Sequence, residues 1–335
     1  QLLWRGGPPA WWAAGRRQQF SWDAPPARAR FASMRPLCGL KVPGHAFIAG
    51  RGASSPNASA AARSFCSGGG QVPRQRPLVL ALDLDETLVR VCCKGVHHNR
   101  KLDQVDFEVL VDVGEPPKHM TFECGVALRP GLGRFFQWIQ DRRREGLIEG
   151  PWIFTTSTPN FTKAILRKID PGGHIFSMRV LTRQACIPTR MPGFLLKDLA
   201  SVPCKESVAD RRKVLVDNNP VSCILNPDNA VLVRDWLGDN PEDGELARVR
   251  HLLDVVVKGK GEGGIGCPSE EDANDYAGRL ARLTPGHGKF LERLKALGSG
   301  LEADAPEEVP LLRSALKAIS AECQEMKRDL LGAAP

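Results

Sequence analysis

The rhythm of apolar and polar positions changes abruptly at about Arg76. Just downstream, Leu78-Val79-Leu80-Ala81-Leu82 is an unbroken apolar run, which predicts a strand buried on both faces. Residues 107–113 and 118–123 read as two further strands, joined by a turn at Gly114-Glu115-Pro116-Pro117. Between 131 and 143, Leu132, Phe135, Phe136 and Ile139 recur on one helical face. Trp152-Ile153-Phe154 predicts a short core strand. Thr158 and Pro159 then supply an N-cap and a first helical position, for a helix that carries Phe161, Ala164, Ile165 and Ile169 inward. Val214-Leu215-Val216 and Ala230-Val231-Leu232-Val233 predict two more core strands, and a helix over 245–257 closes the series. Strands alternating with helices imply an α/β fold around a parallel sheet.

Composition divides the chain further. Residues 258–268 are a glycine-rich linker, and 269–335 read as a helical tail. In that tail Val309, Leu312, Leu316, Ile319, Cys323, Met326 and Leu330 recur at alternating spacings of three and four, the pattern of a heptad seam. The seam either docks on the chain's own domain or serves a partner or self-association through 309–330. Residues 1–76 carry 11 Lys and Arg against Asp23 alone, whereas the rest carries 35 against 37 Asp and Glu. The formal +8 therefore belongs to the leader, and the body offers no basic face for direct nucleic-acid binding. An Arg-, Ala- and Ser-rich stretch nearly free of acids is the composition of an organelle transit peptide. Met34 is a candidate start, and residues 62–67 (Ala-Arg-Ser-Phe-Cys-Ser) resemble a matrix-peptidase site. The expectation is a mitochondrion; the alternatives are a plastid, or the nucleus or cytoplasm if the leader is no address. Ten scattered cysteines with no CxxC pair argue against a zinc site and a disulfide framework, and for a reducing compartment. No apolar run approaches the ~18 residues that span a bilayer.

The candidate chemistry lies at the strand ends. Asp83 and Asp85 follow the first strand two residues apart, hence on one side while the chain stays extended. Two adjacent buried carboxylates are costly unless a cation or a proton offsets them. The carboxyl end of a strand in an open α/β sheet is where ligands bind. One carboxylate can attack phosphorus while the second handles the leaving-group and water protons, with Mg2+ screening the anions. Thr87 can tie down the turn. Thr155-Thr156-Ser157 ends the second core strand with hydroxyls beside a helix N-terminus. Asp217-Asn218-Asn219-Pro220 ends the third with oxygen donors for a hard cation, and Lys197 lies between them as a neutralising ammonium.

Nucleophile, hydroxyl, lysine and acidic pair in this order resemble the haloacid dehalogenase superfamily. The finer match, over about 76–257, is to its CTD-phosphatase-like branch, also called NLI-interacting-factor-like. It is carried by LDLDETLV (82–89), Leu128-Arg129-Pro130-Gly131, Phe154-Thr155-Thr156-Ser157, Lys197-Asp198-Leu199, Val216-Asp217-Asn218 and Asn226-Pro227-Asp228-Asn229-Ala230. Arg90-Val91-Cys92-Cys93 departs from the more usual polar pair, Thr156 from a smaller residue, and the charged 142–151 connection is long.

The resemblance implies a HAD-like Rossmannoid sheet over 77–257 with a small β-hairpin insertion after the first strand. It implies Asp83 as nucleophile, Asp85 as general acid and base, Thr155 as the hydroxyl that stabilises the transferring phosphoryl group and Lys197 as neutraliser. Asp83, the Asp85 backbone carbonyl and Asn218 would hold Mg2+, with Asp217 beside them. The implied substrate is phosphoserine or phosphothreonine in a phosphoprotein or phosphopeptide. A non-catalytic alternative is a mitochondrial presequence-translocase subunit, with import machinery as its partner; a small-metabolite phosphatase would need a large cap domain.

Overall fold

The computed structural model describes residues 76–94, 102, 104–113, 120–204, 210–258, 275–306 and 308–332. The expected leader up to residue 75, the turn at 114–117 and the linker from 259 onward lie outside the described residues.

In chain order the strands and helices are β1 (Leu78–Leu82), β2 (Val89–Cys93), β3 (Phe107–Val113), β4 (Met120–Leu128), α1 (Leu132–Arg144), β5 (Ile148–Phe154) and α2 (Pro159–Ile169). The short strands β6 (Val180–Leu181), β7 (Ile187–Pro188) and β8 (Leu195–Leu196) follow, then β9 (Lys213–Asp217) and β10 (Ala230–Leu232). The chain continues with α3 (Glu245–Lys258), α4 (Tyr276–Leu283), α5 (His287–Glu302) and α6 (Val309–Leu331). Five strands form one parallel sheet in the order β10-β9-β1-β5-β6. The strand at its centre is the continuous apolar run: neighbours on both edges and helices on both faces leave no position for a polar side chain. Leu78, Leu80 and Leu82 point into one core with Ile139 of α1 and Leu253 of α3, while Val79 and Ala81 enter a second with Leu294 of α5 and Met326 of α6. In α2 the expected inward set is reduced: Ile165 is fully buried, and Phe161, Ala164 and Ile169 pack half-buried.

The insertion is larger than the hairpin expected. β2, β3 and β4 form a separate three-stranded antiparallel sheet with β4 in the middle. Val89–Cys93 was not anticipated as a strand: Val89, Val91 and Cys93 face the core, while Arg90 points to the other face, 2 % exposed and ion-paired with Glu86. The same pairing revises the expectation about cysteines. The β2–β4 register sets Cys93 directly opposite Cys124, with Cα atoms 3.9 Å apart, and the two form a disulfide. A sequence separation of 31 hides a contact that only strand register creates.

The tail helices pack on the chain's own sheet. Phe290, Leu294, Leu297 and Leu301 of α5 and Ile319, Cys323 and Met326 of α6 fill the second core. The seam is thus occupied internally from Leu312 onward, with Leu312 and Leu316 half-buried, while Val309, at its start, is 48 % exposed. No helix among the described residues is long and apolar enough to cross a membrane.

Asp275 starts α4 and fastens it to the sheet side. Its carboxylate accepts from the Gly278 backbone N–H at 2.8 Å and bidentately from Arg211 Nε and Nη2, each at 2.8 Å. Partial burial pulls its pKa up, but Arg211 and the Gly278 amide together hold it below the ordinary carboxylate value. A depressed value means the stabilisation is present above the unfolded-state pKa and is lost as pH falls through the folded one. Asp275→Ala should cost about 1 kcal/mol at neutral pH, the usual worth of a cap. The difference from wild type should shrink as pH falls through the depressed folded-state pKa and vanish once the wild-type carboxylate is itself protonated. Urea unfolding across the acid range measures this.

Candidate active site

β1 has β5 on one side and β9 on the other, so the chain leaves the sheet centre in both directions, the arrangement that opens a crevice at the strand ends. Register then decides which residues meet. Leu82 is level with Val216 of β9 and Ile153 of β5, so Asp83, Asp217 and Phe154-Thr155 emerge side by side. Backbone bonds anchor the exits: the Asp83 N–H donates to Val216 O and that of Thr155 to Leu181 O, each at 2.9 Å.

Lys197 enters this crevice from the residue after β8. It is 1 % exposed, and its Nζ lies 2.6 Å from Asp83 Oδ1 and 2.5 Å from Asp217 Oδ2, with the Phe154 ring centroid at 5.8 Å. Burial of an ammonium ordinarily lowers its pKa, but the two carboxylates reverse this and raise it. Burial pushes Asp83 up to about 7, opposed by Lys197 and reinforced by Asp217. Two carboxylates share one ammonium, leaving the cluster one formal negative charge in surplus. Thr155 is 1 % exposed, and its Oγ1 accepts from the Ser157 N–H at 3.1 Å, which leaves the hydroxyl proton to donate elsewhere.

Asp85 stands apart from that cluster. The chain turns out of the strand here: Glu86 adopts φ 61°, and its N–H donates to Val89 O at 2.7 Å. Asp85 Oδ1 is buried without a hydrogen-bond partner. Burial first, then the Glu86 charge, pushes the Asp85 carboxyl up to about 6 against the pull of Arg90. A carboxyl raised that far takes up and gives back a proton closer to neutrality than an ordinary aspartate does. Thr87, expected to tie down its own turn, reaches across the sheet instead: its Oγ1 donates to Asn218 Oδ1 at 3.2 Å. The Asn218 amide is turned by this contact and by two carboxylates, since Nδ2 donates to Glu86 Oε2 at 3.2 Å and to Asp235 Oδ1 at 2.7 Å.

The candidate metal donors are all oxygens: Asp83, Asp217, Asn218 and the Asp85 carbonyl. That chemistry fits a hard cation such as Mg2+, and the surplus negative charge around Lys197 gives a cation something to offset. Among the described residues no three His, Cys, Asp or Glu converge as a metal cage. Magnesium is commonly held by only one or two carboxylates, and its shell is completed by other oxygens.

Sequence reasoning singled out Arg129 as part of a motif but gave it no task. It is 1 % exposed and bridges three segments behind the site. Nε and Nη2 hold both oxygens of Asp243 at 2.8 and 2.9 Å, Nη1 donates to Thr87 O at 3.0 Å, and Nη2 to Arg234 O at 2.9 Å. Asp235 was also missed, although an acid two residues past an apolar strand carries the same signal that exposed Asp83. Arg183, whose Nε donates to Thr156 O at 2.8 Å, had no sequence signal.

A buried aspartate after a central parallel strand, braced by a lysine and a second strand-end aspartate, is the layout of a phosphoryl-transfer fold of the haloacid dehalogenase type. Residues 78–262 match the family model of NLI interacting factor-like phosphatases, and the chain belongs to that family. It is similar to the "Probable C-terminal domain small phosphatase" of Dictyostelium discoideum, 29% identical over 197 residues, which cover 56% of this chain and 56% of that protein. It is also similar to the human "Carboxy-terminal domain RNA polymerase II polypeptide A small phosphatase 1", 31% identical over 193 residues, covering 53% and 64%. The chain thus spans less than two thirds of the length of either relative. Among solved structures it is similar to the fission yeast RNA polymerase II CTD phosphatase Fcp1, at TM-score 0.36 and 20% identity, over 78% of this chain and 67% of that one.

Proposed function

We propose that this chain is a magnesium-dependent phosphatase acting on phosphoserine or phosphothreonine in proteins, through an aspartyl-phosphate, a mixed anhydride, at Asp83. The observation that carries the reading is the buried Asp83–Lys197–Asp217 cluster at the end of the central strand. A fold needing only stability would do as well or better with apolar residues there. Family membership and the names of the relatives support the same chemistry.

In the first step an Asp83 oxygen attacks phosphorus and the bond to the seryl or threonyl oxygen breaks. That oxygen leaves with the proton of Asp85. In the second step a water loses a proton to Asp85 and attacks the phosphorus, releasing inorganic phosphate and free Asp83. The balance is ester plus water to alcohol plus phosphate, with Asp85 returned protonated. Lys197 offsets the charge gathered around Asp83, and the Thr155 hydroxyl is free to donate to a phosphoryl oxygen. Asp83, the Asp85 carbonyl and Asn218, with Asp217 alongside, would hold magnesium, which would supply Lewis-acid polarisation and charge screening.

Between Thr87 and Thr155 the described residues comprise a three-stranded sheet and one helix rather than a second α/β domain, which favours a flexible protein segment over a small metabolite. Import into an organelle, the mitochondrion foremost, is proposed on the leader's composition alone.

The test is phosphate release from phosphoserine and phosphothreonine peptides. Turnover should fall to background when EDTA removes the metal and return on adding Mg2+. Binding of presequence peptides without turnover on any phosphopeptide or aryl phosphate would refute the enzyme reading, and turnover confined to sugar phosphates would refute the substrate class.

A further inference from the structure

Asn218 is held by two carboxylates, and each has its own cation. Glu86 is matched by Arg90, four residues away. Asp235 is matched by Lys327, which comes from α6, 92 residues further along the chain. Lys327 is 5 % exposed. Its ammonium bonds the same Asp235 Oδ1 that accepts from Asn218 Nδ2, while Gln324 Nε2 donates to Oδ2 at 3.1 Å. Burial by itself would raise the Asp235 carboxyl; Lys327 foremost, then Asn218 and Gln324, bring it below its ordinary value.

We propose that α6 is part of the metal-holding apparatus, with Lys327 a positioning residue that fixes Asp235 and, through it, the amide of Asn218. With Nδ2 committed to Glu86 and Asp235, the Asn218 carbonyl oxygen is turned towards Thr87 and the strand ends. The inference rests on the reading of Asn218 as a magnesium ligand. It concerns a helix outside the stretch that the family model matches, residues 78–262.

Docking of the helix does not account for Lys327. Ile319, Cys323 and Met326 already bury the face of α6 against the second core. A lysine beside Met326 on that face gives up its hydration and side-chain freedom, where an apolar residue would bind at least as well. What the ammonium adds is a fixed position for one carboxylate oxygen next to the site. Groups that orient a metal ligand from behind commonly change affinity without touching the metal.

The experiment is calorimetric titration of Mg2+ into the full chain, with circular dichroism and Tm measured on each variant. Lys327→Met should weaken magnesium binding by about tenfold or more, the usual effect of removing such a support. The half-maximal magnesium concentration for phosphatase activity should rise in step, with most of the lost rate returning at saturating Mg2+. Lys327→Arg should restore most of the affinity. Asp235→Leu combined with Lys327→Met leaves no buried charge unpaired, so it should keep the Tm yet still bind Mg2+ weakly, because Asn218 has lost the nearer of its two acceptors. Arg293→Met removes ion pairs between α5 and α6, to Glu322 and Asp329, without touching Asp235, and should leave magnesium affinity at the wild-type value.

Wild-type affinity in Lys327→Met or in the double variant would overturn the proposal. So would equal weakening in Arg293→Met, which would reduce α6 to a packing element. Calorimetry reads the metal without turnover, so a chain that binds Mg2+ but hydrolyses nothing overturns the phosphatase reading and leaves this one standing.

Discussion

Asp83→Asn should reduce phosphopeptide turnover by at least about a thousandfold, the scale of losing a covalent nucleophile, while the folded state keeps or gains stability. The two halves of that expectation have one cause. Asp83 is buried, shares Lys197 with Asp217, and is pushed up to about 7 by its surroundings. A carboxylate kept ionised there is a cost to folding that an amide of the same shape does not incur. After the substitution Lys197 faces a single carboxylate, and the cluster is neutral. Activity and Tm should therefore move apart, and a Tm that falls with activity would count against the nucleophile assignment. Asp85→Asn provides the contrast. A proton donor matters most when the leaving oxygen is a poor one, so its loss should be severe, about 10²–10⁴-fold, on phosphopeptides and much milder on aryl phosphates. Asp83→Asn should show no such rescue, because every substrate needs the attack. A beryllofluoride complex lacking an adduct at Asp83 would also sink the nucleophile assignment, independently of any rate.

Arg129→Met carries the second large effect, and it is on stability. The guanidinium satisfies both oxygens of Asp243 and two backbone carbonyls from separate segments. Methionine fills much of the volume and satisfies none of them. Breaking a buried pair from one side leaves its partner uncompensated, a loss of about 3–5 kcal/mol. For a domain of this size each kcal/mol corresponds to roughly 2–4 °C in Tm. Arg129→Lys should recover little, because one ammonium cannot span a carboxylate fork and two carbonyls. Asp243 also accepts from the Glu245 N–H at 3.0 Å, so the start of α3 should loosen with it. A Tm within a degree of wild type for Arg129→Met would show that these bonds are replaced by water at no cost.

The residues proposed to bear the chemistry were legible because they place polar side chains at the ends of apolar strands. Asp83, Thr155 and Asp217 each stand directly after a core strand, where a polar side chain calls for a reason. Lys197 was readable only in company with them, and the structure brings it between Asp83 and Asp217. The strand ends at Leu82 and Glu86 takes a left-handed turn, which gives Asp85 its own charged neighbours, Glu86 and Arg90.

The sequence by itself determined the parallel α/β sheet, the strand ends that carry the reactive groups, and the amphipathic seam of the tail. All of these follow from local periodicity and from the cost of placing charge beside an apolar run. Only the tertiary structure decided that Cys93 meets Cys124, that Arg129 joins Thr87 to Asp243, and that Lys327 stands behind Asn218. These are pairings across 31 to more than 100 residues, set by strand register and by which face of a helix lands on the sheet. Periodicity says that a helix has an apolar face, but the surface that face covers, and the charges it brings with it, depend on packing against the rest of the chain.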